Sequence, residues 1–224
     1  MYGLLNIDKP TGITSFGVVK RIRYLTGVKK VGHAGTLDPF ATGVLLVFVG
    51  REATKYISNF SDLYKEYFAK IKFGEKTDTA DLTGKVIEEK PIAELSIPQI
   101  EAVFKNFIGN IEQIPPMYSA VKKDGIRLYK LARKGEIVER KPRTVVIKEL
   151  RLLDYKKPFL KFSTVVSKGT YIRTLAEDIA EKLGTVGHLV ELRRMRIGDF
   201  VIEKALNLGE LDKEKIEKYI HNVE

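Results

Sequence analysis

The sequence predicts an α+β domain, and three stretches carry that prediction. Residues 44–49 are an unbroken apolar run of the kind found in a strand buried on both faces. In residues 67–73, Tyr67, Ala69, Ile71 and Phe73 alternate with Phe68, Lys70 and Lys72, as in a half-buried strand with one partly basic face. In residues 172–183, Ile172, Leu175, Ala176, Ile179, Ala180 and Leu183 recur at helical spacing, and Gly184 follows as a stop. Strands and separated helices follow one another without the regular alternation of βαβ winding.

Taken in order, residues 3–7 read as a strand that ends in the turn Asp8-Lys9-Pro10-Thr11-Gly12. A helix follows, with Ser15 as N-cap, Val18, Val19, Ile22 and Leu25 on its apolar face, and Gly27 as its C-terminal stop. Residues 33–43 crowd Gly, Asp and Pro together and read as a loop, which puts Asp38 at the entrance to the 44–49 strand. Ala53, Tyr56, Ile57 and Phe60 predict a short amphipathic helix. Ser96 caps another through Phe107, stopped by Gly109, and Ile114-Pro115-Pro116 breaks regular structure. Residues 122–143 are rich in cations and poor in apolar anchors, so they read as an exposed basic excursion. Residues 145–153 and 159–166 read as paired strands, residues 190–197 as a further strand near Arg193, Arg194 and Arg196, and the tail from Asp212 as a short charged helix.

The 224 residues are 44% apolar, enough to build a core. Lys and Arg number 39 against 29 Asp and Glu, a formal charge of +10. That balance favours a polyanionic partner, although Lys- and Glu-rich composition is also a thermophile habit. With no cysteine, disulfides and thiolate metal sites are excluded; His33, His188 and His221 are too few and too scattered for zinc, so no metal is expected. No apolar run approaches the roughly 18 residues of a membrane span, and the expectation is a cytoplasmic protein without membrane association. Walker A, GxGxxG, GxSxG and HExxH patterns do not occur. The segment Asp78-Thr79-Ala80-Asp81-Leu82-Thr83-Gly84 lacks the oxygen ligands of a calcium loop and reads as a turn.

The densest chemical candidate is Gly32-His33-Ala34-Gly35-Thr36-Leu37-Asp38-Pro39-Phe40-Ala41-Thr42-Gly43. Taken alone, an Asp before Pro is a turn residue. Three further segments change its weight: Asp8-Lys9-Pro10-Thr11-Gly12-Ile13-Thr14-Ser15, Pro115-Pro116-Met117-Tyr118-Ser119-Ala120-Val121-Lys122 and Ser167-Lys168-Gly169-Thr170-Tyr171-Ile172-Arg173. Together with Leu192-Arg193-Arg194, they make the chain resemble the bacterial tRNA pseudouridine-55 synthases from residue 3 to about residue 200.

The resemblance implies a mixed, mainly antiparallel sheet and isomerisation of one uridine in the T-arm loop of tRNA without a cofactor. The N1–C1′ bond breaks, the base turns, and C5 joins C1′. A glycosyl centre that becomes electron-poor calls for a nucleophile or a nearby negative charge, and Asp38 matches the family's catalytic aspartate. Whether it attacks C1′, attacks C6 or removes a proton is left open by the sequence. Arg173 matches the arginine that keeps this carboxylate ionised, Tyr67 the tyrosine that stacks on the target base and helps remove the C5 proton, Tyr171 and Leu192 the walls of the uracil pocket, and His33 the residue that fills the space of the flipped nucleotide. Without the resemblance these would read as a helix-start cation, core residues and a solvated loop histidine.

Lys20, Arg21, Arg23, Lys29 and Lys30 are candidates for gripping RNA phosphates, as is the 122–143 excursion, which corresponds to a mobile insertion in the family. The expected organisation is a catalytic domain over residues 1–200 and a short tail over 201–224, too small for the PUA-type RNA-binding domain with which family members generally continue. A monomer without an obligatory protein partner is expected. Two rivals stay open: a guide-RNA-dependent synthase subunit and a noncatalytic RNA-binding module.

Overall fold

The computed structural model describes residues 2–223. Along the chain lie β1 (Gly3–Lys9), α1 (Ser15–Thr26), β2 (Val31–Ala34), β3 (Thr42–Val49), α2 (Arg51–Thr54), α3 (Ile57–Ser61), β4 (Lys65–Phe73), β5 (Glu75–Thr77), β6 (Val86–Glu89), α4 (Ile97–Lys105) and β7 (Gly109–Gln113). After these come β8 (Lys122–Lys123), β9 (Ile126–Arg127), α5 (Leu128–Ala132), β10 (Arg143–Lys156), β11 (Phe159–Val166), α6 (Ile172–Lys182), β12 (Gly187–Ile197), β13 (Phe200–Val201) and β14 (Leu206–Asn207). The class is α+β, as the sequence predicts. Two compact units divide the chain: one combines the residues up to Phe68 with those from Leu192 onward, and the other is Ala69–Glu191.

In the first unit the strand order is β14-β1-β3-β12, with β2 also on β3 and β13 on β12. Strands β1 and β3 pair antiparallel from Gly3↔Val49 to Lys9↔Gly43, while β12 joins β3 in parallel at Arg193↔Thr42 and Arg194↔Gly43. The apolar run of β3 follows from burial on both faces. Leu45, Val47 and Val49 pack with Val18, Val19, Ile22 and Leu25 of α1, whereas Val44, Leu46 and Phe48 pack with Leu4, Ala53 and Ile197. Each such side chain stabilises the fold by about 1.5–3 kcal/mol.

In the second unit the order is β4-β11-β10-β7. The long β10–β11 pair is antiparallel and carries two register shifts. From α4, Phe104 meets Phe162 of β11 edge-on, with ring centroids 6.0 Å apart. Helix α6 buries Leu175, Ala176, Ile179 and Ala180, the stripe expected from its spacing.

Several local expectations are corrected. The cap of α1 is Thr14, whose hydroxyl accepts from the Gly17 N–H, while Ser15 turns inward. His33 lies on a strand, β2, and not in a loop: Val31–Ala34 finds backbone partners along Val49–Leu46 of β3. Residues 51–61 form two short helices, α2 and α3, broken at Lys55 and Tyr56. Helix α4 ends at Asn106, and Gly109 opens β7 instead of stopping the helix. The basic excursion does have apolar anchors, since Leu128 and Leu131 of α5 are buried. The tail from Asp212 forms one 3-10 turn, Ile216–Tyr219, because the Asp212 carboxylate draws in the Glu214 and Lys215 N–H groups.

Candidate active site

Asp38 is half-buried, on the connection from β2 to β3, and several backbone groups around it are tied down. The buried Ser15 hydroxyl accepts from the Leu37 N–H at 2.9 Å and donates to the Leu37 carbonyl at 3.1 Å. The Gly12 N–H reaches the Pro39 carbonyl at 2.8 Å, the Ala41 N–H the Asp38 carbonyl at 3.1 Å, and the Thr11 hydroxyl the Phe40 carbonyl at 3.1 Å. The Asp8-Lys9-Pro10-Thr11-Gly12 segment and the Asp38 loop, more than twenty residues apart in sequence, are therefore one hydrogen-bonded assembly.

Two buried cations complete it. The Lys9 ammonium, fully buried, donates to the carbonyls of Pro10 at 2.9 Å, Ile13 at 2.8 Å and Pro39 at 3.3 Å, one for each of its protons. Burial lowers its pKa to about 8, against the opposing pull of Asp38 and with a smaller push from Arg194. The Arg194 guanidinium donates through Nε to the Val44 carbonyl at 2.7 Å, through Nη1 to the Tyr67 hydroxyl at 3.3 Å and through Nη2 to the Gly35 carbonyl at 3.0 Å. Its neighbour Arg193 pairs with Asp8 at 2.8 Å and donates to the Thr42 hydroxyl at 3.2 Å.

Of the residues picked from sequence, the first unit holds Asp38, His33, Tyr67 and Leu192. Tyr67 and Leu192 are buried, and His33 is half-buried. Burial and the Arg194 charge lower the pKa of His33, so its imidazole is neutral near pH 7, and its Nδ1 is buried without a hydrogen-bond partner. Among the proposed phosphate contacts, Lys20, Arg21, Lys29 and Lys30 are exposed. Arg23 is half-buried and spends one nitrogen on the Val31 carbonyl at 3.1 Å.

The second unit holds Arg173 and Tyr171. Arg173 is buried, not a solvated helix-start cation: it donates to the Thr79 and Tyr118 carbonyls, each at 2.7 Å, and lies 3.8 Å from the Asp81 carboxylate. Asp81 is itself fixed by the Thr79 hydroxyl at 2.9 Å and by the Thr83 N–H and hydroxyl at 2.9 and 2.6 Å. Gln113 clasps the backbone of Tyr171, donating to its carbonyl at 3.1 Å and accepting from its N–H at 2.7 Å. The second unit also has a depression of about 360 Å³ whose lining includes Lys122, Lys123, Arg140, Lys141 and Arg143.

Sequence reading missed Ser15 as a loop anchor, and also Lys9, Asp81 and Arg194. The one available signal is that each of these sits in a segment already singled out, Arg194 in Leu192-Arg193-Arg194. No group of His, Asp and Glu able to hold a metal occurs among the described residues, and none of their helices is long and apolar enough to cross a membrane.

Residues 23–172 match the profile described as TruB family pseudouridylate synthase, N-terminal domain, and residues 173–223 that of the tRNA pseudouridylate synthase B C-terminal domain. The tRNA pseudouridine synthase B of Clostridium tetani is 45% identical over 220 residues, which cover 98% of this chain and 76% of that protein. That of Pseudomonas fluorescens is 47% identical over 210 residues, covering 94% and 68%. Among solved structures, a chain of a Cbf5-Nop10-Gar1 complex superposes with a TM-score of 0.73 at 32% identity, and one of the archaeal box H/ACA sRNP Nop10-Cbf5 complex with 0.70 at 30%. This chain is covered to 93% and 98% in the two comparisons, and spans 53% and 58% of those longer chains.

Proposed function

Because this chain belongs to the TruB family of pseudouridylate synthases, we propose that it isomerises a uridine of tRNA, at position 55 in the T-arm loop, with Asp38 as the catalytic carboxylate. The observation that carries this reading is the anchoring of the Asp38 loop: a half-buried carboxylate on a loop hydrogen-bonded at Leu37, Asp38, Pro39 and Phe40 is preorganised for chemistry. A turn residue with no other role does not call for the buried Lys9 ammonium within electrostatic reach of it and a buried Arg194 donating to the Gly35 and Val44 carbonyls on either side of its loop.

In this reading the uridine leaves its stack, at a cost of a few kcal/mol that is smaller in a loop than in a duplex. Asp38 supplies negative charge to the ribosyl centre as the N1–C1′ bond breaks, and the base turns to present C5 to C1′. Tyr67 stacks on the base and helps remove the C5 proton. Tyr171 and Leu192 wall the base, and Arg173 is the cation that acts with the carboxylate. His33, half-buried and with a neutral imidazole, takes the place of the flipped nucleotide and contacts the RNA. The exposed Lys20, Arg21, Lys29 and Lys30, with Arg23 beside them and the basic residues of 122–143, hold phosphates. Residues 1–200 act as the catalytic domain, a tRNA substrate makes the site of action the cytoplasm, and the chain works as a monomer without metal or cofactor.

The test is to incubate the protein alone with an unmodified tRNA transcript and map pseudouridine by carbodiimide primer extension. A single stop at the T-loop uridine, lost when that uridine is replaced by cytidine, is the expected result. The likeness to Cbf5 chains solved with partner proteins favours one second reading, a partner-dependent synthase. Absence of modification by the protein alone, with tRNA still bound, would turn the account to it.

A further inference from the structure

Of the three arginines in β12, Arg193 and Arg196 are partly exposed and pair with the carboxylates of Asp8 and Glu66, at 2.8 and 2.9 Å. Arg194 differs. Only 1% of it is exposed, so it presents no surface for a phosphate. A buried cation costs several kcal/mol unless its donors are satisfied, and the acceptors that satisfy this one are informative. Gly35 and Val44 flank the connection that carries Asp38, and the third acceptor is the hydroxyl of Tyr67.

The backbone of Arg194 and that of the Asp38 connection approach closely. At Gly43, which pairs in register with Arg194, φ is +105° and an added Cβ would stand 2.2 Å from the Arg194 carbonyl oxygen. At Gly35, with φ of +81°, an added Cβ would stand 3.5 Å from Nη1. A guanidinium is a rigid planar fork, so donating to all three acceptors at once fixes their mutual spacing. Donation from Nη1 occupies the Tyr67 oxygen as an acceptor and leaves its own O–H proton free to point elsewhere.

We infer that Arg194 is a positioning residue for the isomerisation: its guanidinium clamps both ends of the Asp38 loop and the Tyr67 hydroxyl into one geometry, without itself touching the RNA. This rests on the reading of Asp38 as the catalytic carboxylate. Lysine preserves the charge but not the fork, and a displacement of about 1 Å at a reacting group costs on the order of 100-fold in rate.

The experiment compares wild type, Arg194→Lys and Asp38→Asn by circular dichroism, by filter binding of a tRNA transcript and by single-turnover rate, with hydrogen exchange of the peptide spanning residues 35–44. Expected for Arg194→Lys are a folded protein, tRNA affinity within about twofold of wild type, a rate reduced roughly 10- to 100-fold, and faster exchange confined to that peptide. A wild-type rate, or an affinity loss as large as the rate loss, overturns the proposal. If Arg194→Lys does not fold, the wild-type protein decides through its ¹⁵N arginine side-chain spectrum. A separately resolved, slowly rotating Arg194 guanidinium supports the clamp, and one averaged like the exposed arginines overturns it. Full activity in Asp38→Asn would instead remove the catalytic reading on which the proposal stands.

Discussion

Replacing Ser15 by Ala removes a single oxygen atom and leaves two buried backbone groups without partners. The Ser15 hydroxyl is the acceptor for the Leu37 N–H and the donor to the Leu37 carbonyl, Ser15 is 2% exposed, and Leu37 is 3% exposed. An unsatisfied buried backbone group costs about 1–3 kcal/mol. Two of them, with some relief from a slight shift of the loop, put the destabilisation near 3 kcal/mol. Spread over the unfolding entropy of a chain this long, that is a fall in melting temperature of about 6 °C. Leu37 directly precedes Asp38, so the single-turnover rate should fall by roughly tenfold or more even at temperatures where the variant is fully folded. Urea titration gives the stability term, and the rate at 20 °C gives the positioning term. Thr14→Ala, which removes the exposed cap of the same helix, serves as control and should cost about 1 kcal/mol with little change in rate. A Ser15→Ala protein within 0.5 kcal/mol of wild type, by the ordinary scale of surface substitutions, would refute the reasoning that this hydroxyl holds the loop.

Gly43→Ala should destabilise by at least about 3 kcal/mol, since the new Cβ meets backbone atoms of Arg194 at 2.2 and 2.7 Å in a conformation that disfavours side chains; thermal unfolding measures it, and a melting temperature unchanged within 2 °C would contradict the close approach. Lys9, with its pKa lowered from 10.5 to about 8, binds its proton more weakly folded than unfolded, so its contribution to stability rises as pH increases from about 8 to 10.5 and is absent below that window. Relative to Lys9→Met, wild type should gain up to about 3 kcal/mol across that interval in urea titrations, and parallel pH profiles for the two proteins would show that Lys9 is not held in this way.

The parts of the fold legible in the sequence are those whose cause is local. The 44–49 run announces a strand covered on both faces, the alternation from Tyr67 to Phe73 announces its buried side, and the stripe from Ile172 to Ala180 announces a helix seated on apolar neighbours. Asp38 was legible as a loop residue because Gly35, Pro39 and Gly43 punctuate the chain around it. Ser15 was misread as a cap because either of two adjacent hydroxyls could serve; the choice of Thr14 depends on a partner at Leu37 that local pattern does not contain. Arg194 was hidden for the same reason at longer range. Its acceptors lie 127, 150 and 159 residues away, and in a strand reading Arg193-Arg194-Met195-Arg196 nothing local separates the buried cation from its exposed neighbours. Asp81, in a turn rich in small polar residues, shows its role only when Arg173 of α6 is brought to it.

Whether the Asp38 carboxylate performs the chemistry is read most directly from the release of tritium from tRNA labelled at uridine C5, followed for wild type and for Asp38→Asn at equal saturation with substrate. Wild type should release tritium stoichiometrically and the variant at least a thousandfold more slowly, roughly the cost of removing a principal catalytic group, with tRNA affinity unchanged within a few fold. Release by Asp38→Asn at a rate close to that of wild type would contradict it.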